Sequence, residues 1–345
     1  MTRRVVLTPS DGRPFLDLVS GGRAGPRGSN GFSGAQIEQI RRTVRRTPEV
    51  MVKVTTGGGK TLGAVAAHLS YISRHGRLEI ETDEGERVSK DGQKALLKDW
   101  HLELTAGQYR EPRGQRKAAR GIKLVHQIVL SMPAPTPPEK VLAGAKTFAR
   151  EKFGAQYRYA MALHTHQQHP HVHLVVKAEG IDGRRLHIDK AMLREWRQDF
   201  ARMMRQQGIA ANATPRSVRG QTKRAARDVF YRTRRRGQSY ALQEEIDVVK
   251  RELSATRRIS DPARARLLET RKAVVAAWNA VASTLEAQGD LVLGGDVRYF
   301  ARHLPPVLTD RERLADELLR RARAKRPDRT REDDRIRDRT SERTR

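Results

Sequence analysis

The chain has 345 residues, and its 69 lysines and arginines exceed its 40 aspartates and glutamates to give a formal net charge of +29. Such an excess indicates a polyanionic partner, most often nucleic acid; an anionic membrane surface would call for a basic amphipathic helix with large apolar residues. The chain contains no cysteine, which excludes a structural Cys/His zinc site and fits a cytoplasmic protein. Neither a signal peptide nor a transmembrane helix is predicted, so we expect no membrane insertion.

The N-terminal part of the chain is rich in glycine, arginine and serine, and residues 1–46 are predicted to be a disordered basic tail. A strand is predicted over residues 50–55, where Lys53 interrupts β-branched and apolar residues. The following Gly57-Gly-Gly-Lys-Thr61 has Val54 where a P-loop needs glycine. We therefore interpret it as a loop that lets the backbone approach a phosphate, or that simply begins the next helix.

A helix is predicted over residues 61–74, because apolar residues recur there at helical spacing. Tyr71 falls opposite the apolar stripe, with His68 and His75 to its side and Arg74 one turn further on. A tyrosine displayed away from the core beside polar and cationic neighbours suits a chemical role. The alternative is an amphipathic tyrosine at a helix surface.

Further elements are predicted from periodicity and turn residues. They are a short hairpin over 78–88, a helical segment over 89–104, a basic loop over 108–120, a strand over 122–130, and helices over 137–153 and 189–207. Further helices are predicted over 241–256, 261–288 and 310–324, and residues 290–296 and 304–306 are predicted to break this helical pattern. His126 lies inside the strand over 122–130 and is interpreted as a core histidine, or as one that supports a metal ligand, rather than as a ligand itself.

Five of the 11 histidines lie between residues 164 and 173, where two strand-like segments flank turn residues. A β-hairpin with a loop at 167–170 would pair His166 with His171 and His164 with His173. Side chains alternate along a strand, so all four imidazoles would share one face, with apolar residues on the other. Surface histidines without a ligand are the less favoured interpretation.

A histidine face opposite an apolar face is typical of a metal site on a half-exposed sheet. Three neutral imidazoles leave the charge of a divalent ion uncompensated, which suits an anionic ligand such as a phosphodiester. The ligand set alone permits zinc, manganese, nickel or copper. The order of elements predicts an α+β fold, in which helices cover the apolar face of an antiparallel sheet and the histidines lie on the open face.

Two motifs together resemble those of conjugative relaxases. His171-Val-His173, with His164 and Pro170 upstream, is similar to the third relaxase motif, and the run from Ala67 to Glu79 is similar to the first, whose tyrosine is the nucleophile. The resemblance covers about residues 48–220 and is strongest to mobilisation relaxases of the T-DNA border nickase type. The histidine–hydrophobe–histidine motif is also shared with rolling-circle replication initiators and single-strand transposases.

The resemblance implies that Tyr71 attacks a phosphodiester at a transfer origin and stays linked to the 5′ end. It implies that His164, His171 and His173 hold a divalent ion, magnesium or manganese. Relatives usually carry an aspartate where this chain has His166. His166 would then be a general base, a fourth ligand, or the mark of a crippled site, and we favour a working site. The alternatives are a decayed single-strand-binding scaffold and a hydrolytic nuclease without a tyrosyl intermediate.

The resemblance and the composition together predict five segments. They are the tail at 1–46, a relaxase nuclease domain at 47–215, a basic linker or DNA-binding segment at 216–240, a helical accessory domain at 241–324, and a disordered charged tail at 325–345. Contacts to DNA are expected from seven basic residues: Lys60, Arg74, Lys177, Arg216, Arg219, Arg234 and Arg235. Phe230, Tyr231 and nine basic residues lie within 216–236, which is typical of single-strand binding, and a solvated linker is nearly as favoured.

The partners implied by the resemblance are single-stranded DNA, auxiliary relaxosome proteins, a coupling protein and a type IV secretion channel. A cytoplasmic location, with export alongside the transferred strand, is expected on the same ground. Tyr231 and Tyr240 are the alternative nucleophiles, although neither has the helical surroundings of Tyr71.

Overall fold

The structure is a computed structural model that describes residues 31–55, 59–108, 122–222, 240–254 and 262–324. Contacts within the chain separate two compact units, and the division falls between Thr214 and Pro215. Predictions for residues 109–121, 223–239 and 325–345 lie outside the described residues, and so does the tail up to residue 30. No described helix is long and apolar enough to cross a membrane.

The first unit is built on a six-stranded sheet whose neighbouring strands are antiparallel and follow the order β1-β4-β6-β5-β2-β3. The strands are β1 (Met51–Thr55), β2 (Ile80–Thr82), β3 (Arg87–Val88), β4 (Val125–Ser131), β5 (Tyr159–His164) and β6 (His171–Lys177). The helices described in this unit are α1 (Gly34–Val44), α2 (Leu62–Ile72), α3 (Gln93–Asp99), α4 (Leu102–Gln108), α5 (Pro138–Phe153) and α6 (Lys190–Gln206). The predicted α+β class is confirmed.

The apolar face of the sheet packs against α5 and α6, as predicted. Alternate residues of β4 and β6 point to this face because side chains alternate along a strand. The buried side chains at its centre are Ile128, Leu130, Val172, Leu174, Phe148, Trp196 and Phe200. This core fixes the register of β6 and thereby sends His171 and His173 to the opposite face.

The opposite face carries the histidines and is open only in part. Side chains of α2 to α4, such as Leu69 and Trp100, pack with Ala160 of β5 and Val175 of β6. The prediction of an open face is therefore wrong over β5 and β6. It holds over β1, where Met51 is 43% exposed.

Residues 34–44 form a helix, so the prediction of disorder is wrong for this part of the N-terminal segment. Ser33 begins α1 with a capping box, in which its hydroxyl accepts from the backbone of Gln36 and the Gln36 side chain accepts from the backbone of Ser33. Buried Thr43 binds Thr214 and Asn212 through hydrogen bonds of 2.8 and 3.1 Å. Those partners lie about 170 residues away, so sequence periodicity carried no signal of this anchor.

The predicted helical segment over 89–104 is two helices, because the chain turns between α3 and α4 at His101, which has a left-handed φ of 49°. His126 is a core histidine on the apolar face, as predicted, and its Nε2 donates to the carbonyl oxygen of Leu186 at 2.9 Å.

We expect His126 to make the protein sensitive to acid. Burial lowers the pKa of His126 to about 4, below its ordinary value of 6.5. Between these two values the unfolded chain binds a proton that the folded chain excludes, so stability falls as the pH drops from 6.5 to 4, by up to about 3 kcal/mol. Urea unfolding of a His126→Gln variant, which keeps a donor for Leu186, should show a shallower decline over this range. An unchanged pH slope would contradict the assignment.

The second unit contains four described helices: α7 (Tyr240–Ser254), α8 (Pro262–Ala287), α9 (Leu291–Arg302) and α10 (Asp310–Ala324). Trp278 of α8 is fully buried against Phe300 of α9, and its Nε1 donates to the carbonyl oxygen of Val218 at 2.8 Å. Residues 290–296 were predicted to break the helical pattern, but they begin α9. Asp290 caps this helix by accepting from the backbone of Leu293 at 3.0 Å.

Candidate active site

The hairpin of β5 and β6 differs in register from the predicted one. His164, rather than His166, pairs with His171, and Ala162 pairs with His173. The loop therefore spans residues 165–170 instead of 167–170. Because the shift is an even number of residues, His164, His171 and His173 remain on one face, while His166 leaves the ladder and lies exposed in the loop.

His164, His171 and His173 are buried, and one ring nitrogen of each lies within 4.8 Å of the others. Hydrogen bonds decide which nitrogens are available. Nε2 of His164 donates to the carbonyl oxygen of Ile72 at 2.7 Å, and Nδ1 of His171 donates to the carbonyl oxygen of His169 at 2.9 Å. A carbonyl only accepts, so Nδ1 of His164 and Nε2 of His171 carry lone pairs.

The environment of this histidine triad fits a metal ion. Nδ1 of His164 and Nε2 of His173 are buried without a hydrogen-bond partner in the described part of the chain, and a cation bound between them would satisfy both. Burial lowers the pKa of His173 to about 3 and also lowers the pKa of His164, so both rings are neutral near pH 7. Neutral imidazole is the form that binds metals.

Tyr71 lies at the mouth of the triad. Its side chain is 48% exposed, and its ring centroid is 5.7 Å from that of His173 and 6.3 Å from that of His164. The predicted placement opposite the apolar stripe of the helix is confirmed, since Leu69 and Ile72 of the stripe are buried. An exposed tyrosine beside a candidate metal site can reach a phosphate bound there.

The glycine-rich loop positions the helix that carries Tyr71. Thr61 begins α2, and its hydroxyl accepts from the backbone of Ala64 at 3.2 Å. The backbone of Gly59 passes so close to Val125 that a Cβ there would clash with the carbonyl oxygen of Val125. A helix begins directly after this stretch, whereas Gly57 and Gly58 lie outside the described residues.

A hydrogen bond links the end of α2, which carries Tyr71, to the histidine triad. The carbonyl group that holds His164 belongs to Ile72, the residue after Tyr71. A hydrogen bond of this kind fixes both the tautomer and the ring orientation of a metal ligand. Any movement of the end of α2 would therefore shift Tyr71 and the ring of His164 together.

A strained turn follows α2 and brings Arg74 to the site. Arg74 and His75 have left-handed φ angles of 51° and 59°, and Gly76 follows with 89°. Two such non-glycine residues cost about 1–3 kcal/mol each. Arg74 follows two residues after Ile72, whose carbonyl oxygen accepts from His164, and after burial its charge is among the causes that lower the pKa of His166 and of His164.

His68 belongs to the site, although its sequence position only placed it at the side of the helix. Its ring stacks on that of Tyr71 at 6.1 Å with 24° between the planes, and lies 6.2 Å from that of His173. Burial lowers the pKa of His68 to about 4. The sequence contained one signal for this placement. His68 and Tyr71 are three residues apart, and residues with this spacing are neighbours on the surface of a helix.

Of the other predicted DNA contacts, Lys177 and Lys60 lie toward the far end of the strands from the triad. Lys177 ends β6 and pairs with Val125, four residues along the strand from His173. Lys60 lies near the same end of the sheet, because the backbone of Leu124 donates to the preceding residue, Gly59. Arg216 and Arg219 belong to the other unit, whereas Arg234 and Arg235 lie outside the described residues.

Comparison with known proteins finds a family model and relatives that match part of the chain. Residues 76–209, which include the triad and begin after Tyr71, match the model of a relaxase nuclease domain of the MobA/VirD2-like type. The T-DNA border endonuclease VirD2 of Agrobacterium fabrum (strain C58 / ATCC 33970) is 29% identical over 216 residues, which are 57% of this chain and 46% of that protein. The VirD2 proteins of Rhizobium radiobacter and Rhizobium rhizogenes are 30% and 28% identical, with 57% and 50% of this chain covered.

The chain spans about half the length of the curated relatives it matches, 49% and 42% for the two Rhizobium proteins. The matched stretch contains the buried triad on the sheet of an α+β unit, the arrangement that the two sequence motifs predict. Residues 76–209 therefore match a relaxase nuclease domain of the MobA/VirD2-like type, within a chain that is similar to VirD2 proteins over about half of their length.

Proposed function

We propose that the chain is a relaxase that nicks single-stranded DNA at a transfer origin and becomes linked to the 5′ end through Tyr71. The observation that carries the proposal is the position of Tyr71, which is exposed while its ring lies 5.7 Å from that of a buried histidine of the triad. A phosphodiester held against the triad would present its phosphorus to the tyrosine hydroxyl.

In the proposed step, Oη of Tyr71 attacks the phosphorus, forms a new P–O bond and displaces the 3′ oxygen of the preceding nucleotide. The tyrosine proton passes to a base, and the departing 3′ oxygen takes up a proton. A tyrosine with an ordinary pKa near ~10 is a weak nucleophile at neutral pH, so this proton transfer matters for the rate. One phosphodiester replaces another, so the step can run backwards and rejoin the strand.

A divalent ion held by His164, His171 and His173, for which we propose manganese or magnesium, would stabilise charge on the non-bridging oxygens as a Lewis acid. The protein supplies the rest of the site. Arg74, two residues beyond the Ile72 carbonyl group that holds His164, would bind the phosphate or its neighbour. The hydrogen bond from His164 to the carbonyl oxygen of Ile72 would hold the ring of His164 in a fixed position relative to Tyr71.

His166 is proposed as the base that accepts the tyrosine proton. It is exposed, its ring lies 5.1 Å from that of His164, and its lowered pKa keeps it unprotonated at neutral pH. We expect His166→Ala to slow nicking about 100-fold, a usual contribution of a general base. Manganese affinity, measured by calorimetry, should stay within about twofold because His166 lies outside the triad.

The variant His166→Asp, which restores the residue usual in relatives, serves as the matched comparison and should keep nicking within about tenfold of the wild type. A parallel loss of metal affinity and nicking in His166→Ala would instead identify His166 as a fourth ligand.

The function is tested by incubating the protein with single-stranded oligonucleotides that carry candidate transfer-origin sequences, with manganese or magnesium. A covalent adduct that survives denaturation supports the proposal. Cleavage that leaves a free 5′ phosphate and no adduct would identify a hydrolytic nuclease. Binding of a cognate origin without cleavage would identify a scaffold that has lost its chemistry.

The setting proposed for this activity follows from the relatives, which are named as T-DNA border endonucleases. We propose that the chain acts in the cytoplasm in conjugative transfer or mobilisation of a plasmid or integrative element. Its partners would be auxiliary relaxosome proteins, a coupling protein and a type IV secretion channel, which would export it with the strand. Co-purification of a coupling protein with the full chain tests this setting independently of nicking.

A further inference from the structure

Two rows of residues cross the histidine-bearing face from the triad to β1, which lies at the edge of the sheet. The register of the strands defines each row. The first row consists of Met51, Ser131, His171 and His164, and the second of Lys53, Val129, His173 and Ala162. Residues paired across strands point to the same face, so Met51 and Lys53 share a face with the metal ligands.

The β1 end of these rows is uncovered. The apolar cluster formed with α2 to α4 contains residues of β4, β5 and β6 but none of β1 among those described. Met51 and Lys53 are exposed, and Val129 is half-buried. An open strip therefore runs from His173 over β4 to β1.

Lys53 gives this strip a positive charge. No described carboxylate lies within salt-bridge distance, 4.0 Å, of its ammonium group. Two strand spacings separate Lys53 from His173, about 10 Å between the backbones. A lysine side chain shortens this gap, so its ammonium group can reach a phosphate close to one bound at the triad.

We propose that this strip, with Lys53 and Met51 as its contacts, binds the single strand immediately beside the scissile phosphate and leads it across β4 to the edge of the sheet. Lys53 binds a backbone phosphate, and the thioether of Met51 packs against a neighbouring base. The inference rests on the proposed function, because it takes single-stranded DNA as the substrate of the triad.

The chemistry of the strip favours a nucleic acid over a protein partner. It is narrow, it joins a candidate metal site that suits a phosphodiester, and it offers one cation and one soft apolar side chain. Single-strand sites combine cations for the backbone with side chains, usually aromatic, that contact the bases, and a methionine thioether also makes favourable contacts with aromatic rings. A protein-docking surface would require a wider apolar patch.

Position-specific cross-linking tests the strip, because the chain contains no natural cysteine. The full chain carrying Lys53→Cys is mixed with an oligothymidylate whose internal phosphate bears a tethered thiol as an activated disulfide. The matched control is Lys140→Cys, since Lys140 is also an exposed lysine but lies on α5, which packs against the opposite face. Both variants lose the same charge, so general attraction to DNA is equal.

We expect the Lys53→Cys variant to cross-link at least about tenfold faster than the Lys140→Cys variant, because binding in the strip raises the effective concentration of the tether. Equal rates would overturn the inference. If the cysteine variant fails to fold, Lys53→Gln replaces it, and should lower the salt dependence of oligothymidylate binding by about 0.7 in log–log slope relative to Lys140→Gln.

The two proposals can fail separately. If the wild type forms the tyrosyl adduct but the Lys53→Cys variant shows no preferred cross-linking, only the DNA-binding role of the strip is contradicted. If the Lys53→Cys variant shows preferred cross-linking but the wild type forms no adduct, the proposed transesterification is contradicted. The strip would then remain a binding site for single-stranded DNA.

Discussion

Replacing Tyr71 with phenylalanine is expected to abolish the covalent adduct and to lower nicking at least about 1,000-fold, as removal of a nucleophile does in other enzymes. The change removes only the hydroxyl from a side chain that is 48% exposed, so the free energy of unfolding should change by less than about 0.5 kcal/mol. Affinity for single-stranded DNA should stay within about twofold, because the ring and its surrounding charges remain.

The matched control is Tyr240→Phe, which removes the same hydroxyl from a tyrosine that is 86% exposed in the other unit. It should nick at the wild-type rate. Nicking and adduct formation that persist in Tyr71→Phe but vanish in Tyr240→Phe would move the nucleophile to α7 and contradict the proposed site.

Replacing His173 with alanine is expected to have the second large effect. It removes the ring nitrogen Nε2, which is buried without a hydrogen-bond partner in the described part of the chain and is available to a cation. Manganese affinity measured by calorimetry should fall more than about 100-fold, because losing a ligand costs more than losing a group that orients one. Nicking should fall at least about 1,000-fold in step with it.

Two controls separate metal loss from unfolding. His126→Gln changes a histidine on the opposite face of the sheet and should leave manganese affinity unchanged. A chelator should abolish nicking by the wild type, and added manganese should restore the nicking activity. Full nicking by a folded His173→Ala protein in the presence of chelator would contradict a metal role for the triad.

Much of the first unit could be predicted from the sequence, because the patterns that define its helices and strands lie within short stretches of the chain. The apolar stripe of α2 placed Tyr71 opposite the core, and alternation along β6 placed His171 and His173 together on one face. The register of the hairpin could not be predicted, since loops at 167–170 and at 165–170 keep the same histidines on the same face. The register decides that His164 pairs with His171 instead of His173 and that His166 lies outside the ladder, which bears on the role of His166.

The features that the sequence did not reveal depend on long-range contacts. α1 is held by Thr43 through hydrogen bonds to Asn212 and Thr214. The strip could not be predicted because it requires β1 to pair with β4. This pairing places Lys53 opposite Val129 and therefore on the same face of the sheet as the triad. α9 was missed because its first turn contains Gly294, where a larger side chain would meet Glu286 of α8.

The proposed covalent link between Tyr71 and DNA is tested most directly by mass spectrometry, which locates the attached nucleotide on the protein. After reaction with a cleaved oligonucleotide and nuclease trimming, trypsin releases residues 61–74, a peptide whose single tyrosine is Tyr71. A nucleotide mass on this peptide, lost in Tyr71→Phe and after metal removal, is the predicted result. Strand cleavage with this peptide unmodified, or the nucleotide on another tyrosine peptide, would contradict it.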